Sequence, residues 1–164
     1  IYRTKASDFD TCKASALGDY IPAKLGFEKD EKAIAMDVDT KFDSKHFVIY
    51  IFENGKGVKL PLSLYETKTP RKKLVAAYSA ASPIVAAFFV SENEDIILVS
   101  SQNKAIVINT KLIPEKATRT AGGVTLFTLK NDQTITVASR DIENFAGSAR
   151  CKKIKIPASG TALD

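Results

Sequence analysis

Hydrophobic positions along this chain come in short runs separated by polar turns, and the runs recur. "HFVIYIF" (46–52) and "DIILVSS" (95–101) are β-branched and aromatic stretches. Each leads across a short polar turn into a second apolar run, "GVKLPLS" (57–63) and "AIVINTK" (105–111), which is the layout of a β-hairpin. "GVTLFTLK" (123–130) alternates with period two, and Asn131-Asp132 turns it into "TITVAS" (134–139). "LVAAYSAASPIVAAFF" (74–89) is rich in helix-forming alanine. Its alignment with the chain around 129–138 nevertheless makes it strand, turn, strand. No segment carries a convincing helical period.

The runs repeat at a fixed interval. "IFENGKGVKLPLSLYETKTPRK" (51–72) lies on "VSSQNKAIVINTKLIPEKATRT" (99–120) without a gap at an offset of 48. Lys56 falls on Lys104, Leu64 on Leu112, Lys68 on Lys116 and Arg71 on Arg119, while Ile51, Val58 and Leu60 fall on Val99, Ile106 and Ile108. A second series, "FEKDEKAIAM" (27–36), "YSAASPIVAA" (78–87) and "LKNDQTITVA" (129–138), runs at successive offsets of 51. Each member has an apolar residue, a polar turn and a short apolar strand. Periods of this size mark solenoids, propellers or arrays, and four short strands per unit is the composition of a propeller blade. The expectation is an all-β, propeller-like repeat of four-stranded blades in a single domain over residues 1–164. It has about three units, approximately 1–46 (incomplete), 47–94 and 95–164.

Composition changes this picture little: 164 residues at 45% hydrophobic and 26% charged can bury a core. No apolar run approaches the ~20 residues of a membrane-spanning helix, so no membrane partner is expected. The first residues have no signal-peptide layout, and a chain starting at Ile1 reads as a piece of something longer. Cys12 and Cys151 stand far apart with no metal-binding spacing, which points to a reducing compartment.

Charge adds more. Residues 1–53 are nearly balanced at −2, 54–73 carry +5, 91–103 carry −3, 104–119 carry +3 and the tail from 150 carries +3. Positive blocks that recur with the repeat suit an anionic partner better than scattered solvated lysines do. Such a partner is a nucleic acid or, alternatively, an acidic protein docked on a propeller scaffold. The backbone amides of Gly122 and Gly123, next to the basic loop 116–119, are candidates for close approach to a phosphate. In the tail, Lys153 and Lys155 would share one face of a short strand, with Ile154 and Ile156 on the other. Enzymatic chemistry has no support: no Walker loop, GxSxG or HExxH occurs, and His46 has no nucleophile pattern near it. The acidic stretch 37–43 lacks the glycine and terminal glutamate of a calcium loop and reads as a polar connection. Tyr2, Tyr20, Tyr50, Tyr65 and Tyr78 read as core or strand residues. No catalytic residue, metal site or cofactor is expected.

The ordered set in residues 95–139, with Lys104 after the first strand, the basic segment Lys116 to Arg119, Gly123-Val124, then strand, turn and strand, resembles a known repeat. It is similar to the blade of the C-terminal domain found in the gyrase A family of bacterial type IIA topoisomerase subunits, those of DNA gyrase and topoisomerase IV. "ALGDYIPAKLGFEKDEKAI" (16–34) also resembles a segment of related subunits. The resemblance implies a β-pinwheel whose neighbouring blades exchange strands. It further implies a non-catalytic domain that binds and bends double-stranded DNA on a basic outer rim, assisting strand passage by an ATP-dependent isomerase. Implied partners are the rest of the gyrase-A-type polypeptide and the separate ATPase subunit, in the bacterial cytoplasm at the nucleoid. The Gln/Arg/Gly-rich box QRRGGRG of gyrase has no counterpart here, which favours a topoisomerase IV type subunit or a fragment without the box-bearing blade. The residues expected to meet phosphate are Lys56, Lys68, Arg71, Lys72, Lys73, Lys104, Lys111, Lys116, Arg119, Lys153 and Lys155.

Overall fold

In a computed structural model, the structure describes every residue except Asp39 and Pro70. Those two positions of the acidic connection 37–43 and the basic loop 68–72 therefore lie outside the described residues. Two antiparallel hairpins are the centre of the molecule. The first pairs β1 (Phe47–Phe52) with β2 (Lys56–Pro61), and the second pairs β4 (Asp95–Ser100) with β5 (Lys104–Asn109). Their registers are the same at the offset of 48: Val48 faces Leu60 as Ile96 faces Ile108. The turns match too. Gly55 (φ 81°) and Asn103 (φ 54°) take the left-handed conformation at equivalent positions, which glycine and asparagine reach at least cost.

Each hairpin grows into a four-stranded blade on both sides. β3 (Ile84–Val90) adds to β1, and β7 (Ile135–Ser139) adds to β4. Both ladders shift register at the same place, between Ile51 and Phe52 and between Val99 and Ser100. The fourth strands are short and come from further along the chain. β6 (Val124–Thr125) follows the second hairpin in sequence but pairs with β2 of the first, through Lys56 with Thr125 and Gly57 with Val124. β8 (Thr161–Ala162) pairs with β5 in the same way. The blade orders are thus β3-β1-β2-β6 and β7-β4-β5-β8. The crossing strand contributed from further along the chain makes the fold a β-pinwheel.

The hairpin strands are apolar without alternation because both of their faces are covered. Ile49, Ile51, Ile96, Leu98, Ile106 and Ile108 fill the space between the blades together with Leu126 and Phe127. Val48, Tyr50, Phe52, Val58 and Leu60 pack the far side of the first blade with Leu62 and Tyr65. The far side of the second blade carries a smaller group, Ile97, Val99, Ala105, Val107 and Cys151, so it is covered more thinly. Full burial of each such side chain stabilises by about 1.5–3 kcal/mol relative to exposure.

Several expectations need correction. Of the strand, turn, strand expected over 74–89, the first strand does not form, because only 84–90 has a partner ladder in β1, and 79–83 is the polar turn that leads into it. Residues 27–36 form no strand either, and the first 46 residues hold instead a 3-10 turn (Ala6–Asp8) and a single helical turn, α1 (Ile21–Leu25). In the tail, Lys152 makes one parallel bridge to Val107 and the chain then bends. Ile154 is consequently 88% exposed instead of packed inward. After β7, two 3-10 turns (Ile142–Asn144 and Ser148–Cys151) stand where β3 is followed by a hairpin. Tyr50 and Tyr65 are core residues as expected, but Tyr20 is 74% exposed. Cys12 and Cys151 are free thiols, the first exposed and the second buried.

Gly123 shows what the crossing strand requires. Its φ is 74°, and a Cβ there would stand 2.0 Å from the Gly57 carbonyl oxygen and 2.9 Å from Val58 Cβ. The glycine is needed for close approach of β6 to β2. Gly160, entering β8, is similarly closed in by Phe127 and Lys104. Gly123→Ala should destabilise by about 3 kcal/mol or more, since left-handed strain adds to overpacking against backbone. Gly26→Ala, at φ 69° with nothing within 4 Å of the new Cβ, should cost only about 1 kcal/mol. Urea unfolding of both variants measures the difference, and equal losses would rule out close strand approach as the reason for Gly123.

Candidate nucleic-acid interface

The path of the chain decides where the basic loops go. After β5 a 3-10 turn (Thr110–Leu112), capped by the Asn109 side chain on the Lys111 amide, sends the chain back toward the first blade. There Glu115 bridges Lys59 in parallel, and the Lys116 amide donates to the Lys59 carbonyl at 3.0 Å. The equivalent turn after β2 (Leu62–Tyr65) delivers Glu66, Thr67, Lys68, Thr69 and Arg71 to the same place. The two copies of the basic loop, one around Lys68 and Arg71 and the other around Ala117, Thr118 and Arg119, therefore line one open cleft of about 540 Å³. Leu64 and Leu74 contribute its apolar lining and Glu66 its single carboxylate. Below it, the Tyr65 hydroxyl donates to the Ala77 carbonyl at 2.6 Å and lies 3.1 Å from the Tyr50 hydroxyl. Burial pushes Tyr65 up to about 12, against the pull of the Arg119 guanidinium nearby.

What distinguishes these cations is that, among the described residues, none has a carboxylate within 4.0 Å. Among the described residues, ion pairs within 4.0 Å engage Lys24, Lys73, Arg140, Arg150 and Lys152 on the basic side, besides His46. Lys68, Arg71, Lys72, Lys116 and Arg119 are not in that set, nor are Lys56, Lys104, Lys111, Lys153 and Lys155. A cation whose charge is not neutralised by the protein is the one that attracts phosphate.

The structure brings together only part of the set read from the sequence. Lys68, Arg71 and Arg119 share the cleft, and Lys72 and Lys116 flank it in sequence. Lys56 borders a separate, mostly apolar hollow of about 630 Å³ with Leu112, Pro114, Val124, Ile156 and Pro157. Lys104 occupies the equivalent strand position in the second blade, opposite Ala162, and both lysines are exposed. Lys111 is exposed on the turn after β5. Lys153 donates to the Thr161 hydroxyl at 2.9 Å, and Lys155 is exposed beside Ile154.

Two cations of the first basic block have other work. Lys73 lies 2.8 Å from Glu28 and 3.1 Å from Glu31, with its ammonium 5.2 Å from the centre of the Tyr2 ring. The Glu28 carboxylate, Tyr2 and Glu31 raise its pKa, so Lys73 is a clasp for the N-terminal segment and not a free phosphate ligand. Lys59 is 8% exposed, with its ammonium 4.6 Å above the Phe47 ring and 3.4 Å from the Asn93 side-chain oxygen. The sequence pattern did not single out Arg3. Its guanidinium stacks 4.2 Å from the Phe42 ring centre and donates to the Tyr65 carbonyl and, at 3.3 Å, to the Thr67 hydroxyl beside the cleft. An isolated arginine in a balanced segment gives no signal for this.

His46 donates from its ring to Asp43, 2.7 Å away, which lowers the Asp43 carboxyl and leaves a local turn contact with no nucleophile. Among the described residues no group of three or more His, Cys, Asp or Glu side chains is placed to hold a metal ion, and no helix is long and apolar enough to cross a membrane.

No protein-family model matches the chain, and no curated protein matches it. Among solved structures, the crystal structure of the C-terminal domain of DNA topoisomerase IV matches with a TM-score of 0.64 at 20% sequence identity, over 74% of this chain and 38% of that chain. The structure of the DNA gyrase A C-terminal domain matches with a TM-score of 0.48 at 15% identity, over 64% of this chain and 34% of that chain. The first match shows that the chain has the fold of that topoisomerase IV domain. The chain spans well under half of the length of the domain it resembles.

The N-terminal clasp sets a pH dependence. The Tyr2 hydroxyl, the Glu28 amide and Lys73 hold the Glu31 carboxyl at about 2, against an ordinary 4.5. A carboxyl held lower in the folded state stabilises it above the ordinary value, and that stabilisation disappears as the pH falls through the folded value. The urea midpoint should therefore decline between pH 4.5 and pH 2 more steeply in the native chain than in Glu31→Gln. Parallel declines would mean that the clasp does not contribute to stability.

Proposed function

We propose that this chain is a non-catalytic, DNA-binding part of a type IIA topoisomerase, from a gyrase-A-family subunit of the topoisomerase IV type. It holds duplex DNA by its phosphates on the basic rim of a β-pinwheel. The observation that carries this reading is the cleft itself, in which Lys68, Arg71 and Arg119 from two successive repeat loops converge, none of them within 4.0 Å of a carboxylate among the described residues. Two of its threonines, Thr69 and Thr118, add hydroxyl donors suited to phosphate oxygens. Contacts to phosphate carry no base information, so binding held by them is independent of sequence. Neutralised phosphates release condensed counterions, which makes affinity fall steeply with salt.

Bending follows from the repeat. Each blade adds a cation at the same height, Lys56 in the first and Lys104 in the second, so a duplex that follows the charges is drawn around the rim. The elastic cost of such a bend, of order 1–6 kcal/mol for a 40–90° turn over a short site, is offset by the added phosphate contacts. In the parent isomerase the bent segment is presented to the catalytic core for strand passage. ATP hydrolysis belongs to the partner ATPase subunit of that parent, in the bacterial cytoplasm at the nucleoid.

Titrating salt against random-sequence duplexes tests this reading. The triple variant Lys68→Gln, Arg71→Gln, Arg119→Gln should bind about tenfold or more weakly, and its log-log salt slope should be shallower by about 2.7, at ~0.9 per lost contact. Lys73→Gln should leave the slope unchanged. Equal affinity and slope in the triple variant and the native chain would refute the reading. Weak binding with no preference for longer duplexes would instead favour a scaffold for an acidic protein.

A further inference from the structure

The first 46 residues carry two fragments of the blade pattern that lack the strand joining them. Ile1–Arg3 runs antiparallel to residues 72–74, through the Tyr2–Lys73 bridge, the Arg3 amide to the Lys72 carbonyl at 2.7 Å and the Leu74 amide to the Ile1 carbonyl at 2.8 Å. Lys73 and Leu74 stand 51 residues before Val124 and Thr125, the residues of β6. Their partner therefore occupies the position that β2 holds in the first blade and β5 in the second. The next element agrees. A 3-10 turn (Ala6–Asp8) comes soon after this pairing, as Leu62–Tyr65 comes after β2 and Thr110–Leu112 after β5.

The second fragment is residues 33–38. At the same offset of 51 they fall on β3, and at twice that offset on β7, the strands that close each blade against the first strand of its hairpin. Here they have no such neighbour. Among the described residues, no backbone hydrogen bond engages 32–38. Ile34, Met36 and Val38 alternate along the segment and are 53%, 80% and 73% exposed. Met36 and Val38 fall on Ala87 and Phe89, which pack against the core of the first blade. Alternating exposed apolar residues are the signature of a strand whose sheet is incomplete.

We propose that residues 1–3 and 33–38 flank an open strand slot, and that its occupant is an apolar strand of the β1/β4 type, added antiparallel between them. The blade would then have the order of the other two, with 33–38, the added strand, 1–3 and 72–74 taking the places of β7, β4, β5 and β8. The occupant's chemistry is fixed by its neighbours: about six residues, β-branched, apolar on both faces, as in "DIILVS". In both observed blades the first hairpin strand is already paired on each side, so a second copy of the described strands cannot fill the slot. A strand leading into Ile1 can, because Ile1 stands where Lys56 and Lys104 begin the second strand of their hairpins. This inference is independent of DNA binding.

The experiment joins a copy of residues 95–103, "DIILVSSQN", directly before Ile1 and measures amide hydrogen exchange at 33–38 in the extended and original chains. Exchange there should slow by about tenfold or more on extension, because the amides enter a ladder. A scrambled nonapeptide of the same composition should not slow it, and Met36→Lys with Val38→Lys in the extended chain should restore fast exchange. Equal exchange in the extended and original chains, or equal slowing by the scrambled sequence, would overturn the proposal. If the lysine variants lose structure elsewhere, reduced protection of β1 and β4 in the same experiment identifies this and leaves the native-sequence comparison to decide.

Discussion

The outer edge of each hairpin's second strand must find hydrogen bonds, and in this protein they come from a short strand much further along the chain. β6 reaches back to β2 and β8 to β5. The rest of the architecture depends on this crossing. It brings the two basic loops to one blade, it demands a glycine at 123 and again at 160, and it draws Leu126 and Phe127 into the space between the blades. Phe127 shows how closely the parts are tied. Its amide donates to the Gly55 carbonyl in the first hairpin turn, while Ala158 of the tail pairs with it as a bridge. One residue thus joins elements that are far apart in sequence.

The hairpins were legible in the sequence because their strands are continuous apolar runs bounded by Gly-, Asn- and Ser-containing turns, and because a second copy lies at a constant offset. Val48 to Leu60 and Ile96 to Ile108 are local pairings, so residue pattern and partner lie within one short window. β6 and β8 were not legible as partners of β2 and β5. Each is two residues long, and what selects them is a long-range edge, which leaves no local periodicity. The first strand expected within 74–89 failed for the complementary reason: its residues are apolar, but the pairing there ends with the single bridge of Lys73 to Tyr2. In the tail, alternation at 153–156 suggested two faces, yet one bridge to Val107 anchors the segment and Ile154 turns to solvent.

Charge was legible as blocks but not as chemistry. Residues 54–73 carry six basic side chains in sequence. Folding removes two of them from the surface role: Lys59 lies over Phe47, and Lys73 is clasped by Glu28 and Glu31 from a segment that precedes it by more than forty residues. Arg3 moves the other way, from a balanced N-terminus to the wall beside Thr67. Net charge along a chain therefore bounds what the surface can present, and the distribution of carboxylates in three dimensions decides which cations remain free.

The anchoring of the loop at 116–119 has a mechanical side. By sequence it belongs with the second hairpin, yet its entry is fixed to the first blade through the Lys116 amide and Lys59 carbonyl, and its exit through β6. A ligand pulling outward on Arg119 would load the ladder between β2 and β6 while leaving the β4–β5 hairpin slack. The same pull on Arg71 would be carried by the pairing of residues 72–74 with the chain's first residues. Tension on the cleft is therefore shared between two short seams, β2 with β6 and 72–74 with the chain's first residues, and neither belongs to the second blade.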